Sequence, residues 1–183
     1  GGMAAGVCTG LLHTKGKING LLSGIIMMIA LYSINMRIMG KTNISLSQED
    51  IVFGSIDPIY VMLVIVIIVK LLLDAFFRTD LGLALRATGD NKRMIRSFGA
   101  NTDTTTILGL SISNGLVAFS GAVVAQQSSF ADISSGIGMI VIGLASVIIG
   151  EAILGKGSVF RTTLAVVCGS IIYRIVVAAA YEI

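Results

Sequence analysis

The sequence predicts an all-α membrane protein, a polytopic bundle of transmembrane helices. Hydrophobic residues make up 55% of the 183 residues, charged residues make up only 13%, and the mean hydropathy is +0.93. A soluble domain of this length carries more charge, and here long apolar runs alternate with short polar segments. No basic patch is interleaved with aromatic residues, so nothing in the composition favours nucleic-acid binding.

Five apolar runs are predicted to cross the bilayer, at residues 18–39, 59–77, 104–127, 137–154 and 162–180. Pro58 precedes the second run, where its missing N–H is tolerated in the first turn of a helix. Residues 1–12 are apolar but too short to span a membrane, and residue 183 follows directly on the last run. We therefore expect a single permease domain over residues 1–183 that is truncated at both ends.

Glycines recur every four residues near the start of the chain, in the series Gly2, Gly6, Gly10 and the series Gly16, Gly20, Gly24. Small residues at this spacing let helices approach closely in lipid. The pattern favours helix packing within the subunit over a dedicated dimer face.

The orientation follows from the distribution of positive charge. Loops 13–17, 78–103 and 155–161 share one side and contain Lys15, Lys17, Arg78, Arg86, Lys92, Arg93, Arg96, Lys156 and Arg161. The opposite side contains Arg37 and Lys41 together with the acids Glu49, Asp50, Asp57 and Asp132. Because cytoplasmic loops are enriched in lysine and arginine, the first side is predicted to be cytoplasmic.

Segment 78–103 is the longest polar interruption of the chain. Asp90 is expected to cap a short helix and Gly99 to end it in the left-handed conformation. Met94 and Phe98 then lie on one side at an i,i+4 spacing. The composition of the segment by itself is more typical of a solvated, positively charged loop.

The order of residues around this segment resembles the permease subunits of bacterial ABC importers of the branched-chain amino acid and ribose group. The resemblance extends over residues 10–173. Within this group the chain most resembles the permeases of aromatic amino acid uptake. It is carried by Gly82-Leu-Ala-Leu-Arg-Ala-Thr-Gly-Asp-Asn, Ser97-Phe-Gly, Ser113-Asn-Gly and Ser120-Gly.

The resemblance implies a multi-pass protein of the bacterial cytoplasmic membrane that is not itself an enzyme. Its helix 90–98 would be the coupling helix that contacts a cytosolic ATP-binding subunit, and that subunit would bind ATP and Mg. An extracytoplasmic substrate-binding lipoprotein and a second copy of the permease are the other implied partners. The implied contact residues for the ATPase are Arg86, Gly89, Asp90, Asn91, Arg93, Met94, Phe98 and Gly99.

The run at 104–127 is more polar than a lipid-facing helix should be. Such residues are expected to face the bundle or a water-filled path. The candidates for the substrate path are Ser111, Ser113, Asn114 and Gln126.

An alternative function is ion-coupled secondary transport through charges within the apolar runs. Lys70 and Asp74 lie one helical turn apart and are expected to neutralise each other. Glu151 is expected near the inner boundary. Arg174 lies deep in the last run and must pair, line a cavity or extend towards the interface.

Other motifs give little support for chemistry in this chain. Residues 150–157 approach a phosphate-binding loop, but Gly157 stands where the motif needs Ser or Thr. Cys8 and Cys168 have no metal or disulfide spacing, so no metal site is expected. His13 is interpreted as part of the cytoplasmic edge.

Overall fold

The computed structural model describes residues 1–46, 57–99, 101–136, 138–155 and 157–181. Glu49, Asp50 and Lys156, which entered the charge argument, lie outside these residues. The described chain forms eight α-helices, two short strands and a 3₁₀ turn at Ile133–Gly136. The helices are α1 Gly2–Thr14, α2 Gly20–Met39, α3 Pro58–Phe76, α4 Asp80–Asp90, α5 Lys92–Ser97, α6 Thr102–Ser128, α7 Met139–Leu154 and α8 Val159–Tyr181, and the strands are β1 Asn43–Ser45 and β2 Phe130–Asp132.

The five predicted spans are all helical, which confirms the all-α class. Within the described residues, α2, α3, α6 and α8 are long and apolar enough to cross a membrane, and α7 is shorter, with 16 residues. The second span begins at Pro58, the position that the sequence predicted for it. Asn19 caps α2 by accepting a hydrogen bond from Leu21 N, and Gly40 ends it with a φ of +66°.

The first compact group of elements contains α1, α2, α4, α5, α6 and the two strands. The first glycine series allows α1 to pack directly on α6: a Cβ at Gly6 would collide with the backbone of Leu110 and Ser111. A Cβ at Gly10 would lie 2.9 Å from Ile107 Cα. The prediction of packing within the subunit is therefore confirmed for this series.

The second glycine series does not form a comparable contact between helices. Gly24 faces open space, and Gly20 lies beside the ring of His13. His13 Nδ1 is 2.8 Å from the carbonyl oxygen of Ile18, so this histidine closes the turn between α1 and α2.

A two-stranded antiparallel ladder, which was not predicted from the sequence, joins the segments after α2 and after α6. Asn43 pairs with Asp132 and Ser45 with Phe130. Leu46 N extends the ladder by donating to Ser129 O at 2.9 Å. Because paired strands must lie on the same side of the helices, the ladder agrees with the predicted orientation, in which both segments lie outside.

The second compact group contains α7, α8 and most of α3. Two glycines bring α7 and α8 into backbone contact: a Cβ at Gly150 would collide with the Ala165 carbonyl oxygen, and one at Gly169 with the Ser146 carbonyl oxygen. Ala165, Gly169 and Gly150 are accordingly buried. Small residues thus permit here the close approach that packing in lipid requires.

Candidate functional site

The segment predicted to contact an ATPase forms two helices, α4 and α5, before it enters α6. Thr79 caps α4 by accepting from Gly82 N at 3.3 Å. The Thr88 and Thr105 hydroxyls are 3.0 Å apart, which ties α4 to the first turns of α6. Next to this contact, Leu85 packs so closely on Gly109 that a Cβ there would lie 2.8 Å from Leu85 Cδ1. Helix α4 was not predicted from the sequence, although Thr79 is of a residue type that often caps helices.

The short helix α5 has a different start from the predicted one. Asp90 was expected as the cap, but it is the last residue of α4. Asn91 is the cap, and its side-chain oxygen accepts from Arg93 N and Met94 N, both at 3.1 Å. Aspartate and asparagine cap helices equally well, so the choice depended on where α4 ends.

The predicted end of α5 is correct. Gly99 has a φ of +82°, and its N–H donates to Arg96 O at 3.0 Å. A left-handed glycine after the last turn is the usual termination of a helix, because a side chain is disfavoured there.

The eight residues predicted to contact the ATPase share one property, which is exposure: Arg86, Gly89, Asp90, Asn91, Arg93, Met94, Phe98 and Gly99 are all exposed. Met94 is 54% exposed and Phe98 75%. A polar segment that leaves two large apolar side chains uncovered has the composition of a docking surface for a groove. We call Met94 and Phe98 the apolar pair of α5.

Arg96 differs from the other cations of this segment, since its guanidinium points back to α6. Nε donates to Thr102 Oγ1 at 2.7 Å, and Nη2 donates to Asp103 Oδ1 at 3.0 Å. Asn101 caps α6 at this place by accepting from Asp103 N and Thr104 N. Sequence reasoning did not find these contacts, because they cross the turn between two helices.

The predicted substrate-path residues of α6 lie on different faces. Ser111 Oγ donates to Met3 O of α1 at 3.1 Å, and Asn114 Nδ2 donates to Leu110 O of its own helix at 2.9 Å. The backbone carbonyl of Asn114 faces Gly2. These two residues therefore belong to the α1–α6 interface.

Ser113 lies on another face of α6, which α1 does not cover. Ser113, Val117 and Ser120 follow each other at i, i+4 and i+7 and are all exposed. Gln126 is half-buried near the end of the helix. A stripe of alternating serine and valine is more polar than a lipid-facing surface needs to be.

Lys70 and Asp74 form the predicted ion pair, with Lys70 Nζ 2.6 Å from Asp74 Oδ2. Two residues of α8 complete the cluster. Thr163 Oγ1 donates to Asp74 Oδ1 at 2.6 Å, and Lys70 Nζ lies 3.7 Å from the centroid of the Phe160 ring. The Asp74 side chain is 8% exposed, so the charge pair is largely shielded and joins α3 to α8.

The remaining charged candidates are separate from these groups. Arg174 is exposed on α8 beside Ser170 and Ile171, and among the described residues no acid lies within ion-pair distance of it. Glu151 is half-buried in the last turn of α7. The residues before the phosphate-loop-like segment form the helix α7, whereas a phosphate-binding loop follows a strand.

Comparison with protein families decides the class of the molecule. The family described as "Branched-chain amino acid transport system / permease component" matches residues 1–182. The chain belongs to this permease family. The family membership and the apolar helices together make the permease a multi-pass protein of the bacterial cytoplasmic membrane.

Individual relatives agree with this family. The permease is 50% identical over 174 residues to the tyrosine transport system permease protein of Clostridioides difficile (strain R20291). The aligned residues are 94% of this chain and 59% of that protein. It is 36% identical over 159 residues to an uncharacterised protein of Rickettsia prowazekii (strain Madrid E), covering 84% of this chain and 55% of that protein.

A more distant relative comes from another import system. The autoinducer 2 import system permease protein LsrC of Photorhabdus laumondii is 31% identical over 112 residues, which are 60% of this chain and 33% of that protein. No solved structure matches the permease. The chain thus spans somewhat more than half the length of the first two relatives.

Proposed function

We propose that this chain is the membrane-spanning permease part of an ATP-driven ABC importer for an amino acid, with an aromatic amino acid such as tyrosine as substrate. The observation that carries the proposal is the exposed, capped helix α5 in a member of a transport permease family. Identity of 50% to a tyrosine transport permease supports the choice of substrate.

In this proposal α5 lies on the cytoplasmic side and docks on a separate ATPase subunit, which binds ATP and Mg. The apolar pair of α5 enters a groove of the ATPase, and the surrounding charges orient the contact. An extracytoplasmic lipoprotein delivers the substrate, and two permease copies enclose its path. Closure of the ATPase dimer moves α5, and the spanning helices then change their access from one side to the other.

The substrate path is proposed to run along the face of α6 that carries Ser113. Ser111 and Asn114 support this assignment indirectly, since they lie on the side of α6 that packs against α1. The face with Ser113 is left for the path. Hydroxyl groups on the face that α1 leaves uncovered can form hydrogen bonds with a polar amino acid during its passage.

Phe98→Ala tests the proposal. Removal of a large apolar side chain from the centre of a docking surface should lower the affinity for the ATPase about ten-fold or more. The folded yield of the permease should not change, because Phe98 is 75% exposed. Affinity is measured by binding of the purified ATPase to the permease in nanodiscs, and ATP-dependent uptake of tyrosine is measured in vesicles.

Lys92→Gln is the control, since it lies exposed on the same helix and is outside the predicted contact set. If Phe98→Ala binds the ATPase and imports tyrosine as the unmodified permease does, α5 is only a solvated loop. Uptake that needs an ion gradient and no ATPase would instead support the ion-coupled transporter.

A further inference from the structure

Arg96 is an exposed cation of α5 whose guanidinium forms hydrogen bonds with α6. Its side chain is 62% exposed and that of Asp103 is 53% exposed. An ion pair so open to water contributes little to the stability of a fold. Its geometry is nevertheless defined, because two different nitrogens of the guanidinium donate to two neighbouring residues of α6. We call these two hydrogen bonds the Arg96 bridge.

Thr102, which accepts one hydrogen bond of the Arg96 bridge, is held firmly in the fold. Thr102 is 1% exposed and is the first residue of α6. Its carbonyl oxygen also accepts from the hydroxyls of Thr105 and Thr106, at 3.0 and 2.7 Å. A guanidinium bonded to such a residue holds the end of α5 at the start of α6, across the left-handed turn at Gly99.

The other end of α5 is attached to the same helix through α4. Asn91 is both the last cap of α4 and the first cap of α5, so only one residue separates the two helices. Through the Thr88–Thr105 contact, α4 is bonded to α6. Helix α5 is thus attached to the first turns of α6 on both sides, and on its C-terminal side the attachment is the Arg96 bridge.

Helix α6 extends from this attachment to the β1–β2 ladder without a break. Its 27 residues correspond to a length of about 40 Å. Two residues further on, Phe130 begins β2, which pairs with β1. A displacement of the first turn of α6 therefore reaches the opposite end of the spanning helix, provided that α5 does not slip against it.

We propose that Arg96 is the positioning residue that transmits a displacement of α5 to α6. The inference rests on the proposed function, in which α5 is moved by an ATPase. Arg96 makes the link by bonding and not by packing, so its loss leaves α5 folded and able to dock. What is lost is the movement of α6 that should follow closure of the ATPase dimer.

The test compares Arg96→Gln and Thr102→Val with Lys92→Gln in the complete transport complex, reconstituted in vesicles with the ATPase and the binding protein. Arg96→Gln and Thr102→Val should bind the ATPase within about two-fold of the unmodified permease and should still hydrolyse ATP. Tyrosine imported per ATP hydrolysed should fall about ten-fold in both, which lies within the usual range of coupling between sites. Lys92→Gln removes a charge from the same helix and should change neither quantity.

Two further measurements separate transmission from other roles. The double variant Arg96→Gln/Asp103→Asn should import no less than Arg96→Gln alone, because both changes break one link. Amide hydrogen exchange of α5 in the isolated permease should rise in Arg96→Gln, since the bridge no longer holds the helix, and should stay unchanged in Lys92→Gln.

The inference is wrong if Arg96→Gln imports as much tyrosine per ATP as the unmodified permease. It is also wrong if uptake falls only in proportion to ATPase binding, since Arg96 is then a contact residue, or in proportion to folded yield, since its role is then structural. If the unmodified complex shows no ATP-driven uptake, the proposed function fails and the inference fails with it.

Discussion

Removal of one charge from the Lys70–Asp74 pair should destabilise the permease far more than removal of both. Asp74→Leu leaves the Lys70 ammonium, which is 16% exposed, with the Phe160 ring as its remaining contact among the described residues. Lys70→Met leaves the Asp74 carboxylate with the Thr163 hydroxyl as a hydrogen-bond donor and with the charge of Arg78 as the remaining cation near it among the described residues. An uncompensated buried charge costs about 3–5 kcal/mol in the free energy of unfolding, so each single change should cost about that much.

The double variant Lys70→Met/Asp74→Leu should cost no more than about 2 kcal/mol, because apolar residues of similar volume often replace a buried ion pair with little loss. The Thr163 hydroxyl keeps a partner in this variant, since it is also 3.1 Å from Phe160 O. Thr163→Val alone should cost about 1.5–3 kcal/mol, the usual contribution of a hydrogen bond to a charged group.

Unfolding in mixed micelles, followed by circular dichroism during titration with denaturing detergent, measures these free energies. Leu71→Met is the matched control, because it lies exposed on α3 and should have almost no effect. We predict that the double variant falls at least about 4 kcal/mol short of the sum of the single changes. Additive losses would refute it, since they would show that the two charges do not act as a pair.

Two other predictions concern orientation and path. Single cysteines at Ser45 and Lys92, in a background without the native cysteines, should react with an impermeant reagent from opposite sides of the membrane, and labelling of both from outside would refute the orientation. A cysteine scan over residues 108–120 should show reactivity with a period near 3.6 and maxima at Ser113 and Ser120, whereas Ser111 stays protected in its contact with α1. Uniform protection over the scan would mean that α6 does not line a path.

The spans could be predicted from the sequence because in a membrane the composition of a segment nearly determines its structure. A run such as 59–77 is apolar throughout, and in lipid a helix satisfies all its backbone groups internally. The first glycine series was also readable, since Gly2, Gly6 and Gly10 share a helix face. That spacing predicted close packing within the subunit, whereas α6 as the partner of α1 is known from the structure alone.

What could not be predicted depends on contacts between segments. The strands β1 and β2 have three residues each, too few for a visible alternation of polar and apolar positions. The capping role of Asn91 depended on how far α4 extends. Arg96 looked like any other cation of a basic loop, because its partners lie beyond a turn, six and seven positions further along the chain.

The short helix α7 has a consequence for the lipid around the permease. Its 16 residues correspond to about 24 Å, whereas the hydrocarbon layer of a bilayer is about 30 Å thick. Glycines with positive φ at both ends, Gly138 and Gly155, prevent the helix from continuing. Where α7 faces lipid, the bilayer must become thinner around it, at a free-energy cost that grows with each ångström of mismatch. The free-energy cost of placing α7 in a bilayer therefore depends on the thickness of the host membrane. Lipids with shorter chains reduce the mismatch at this helix.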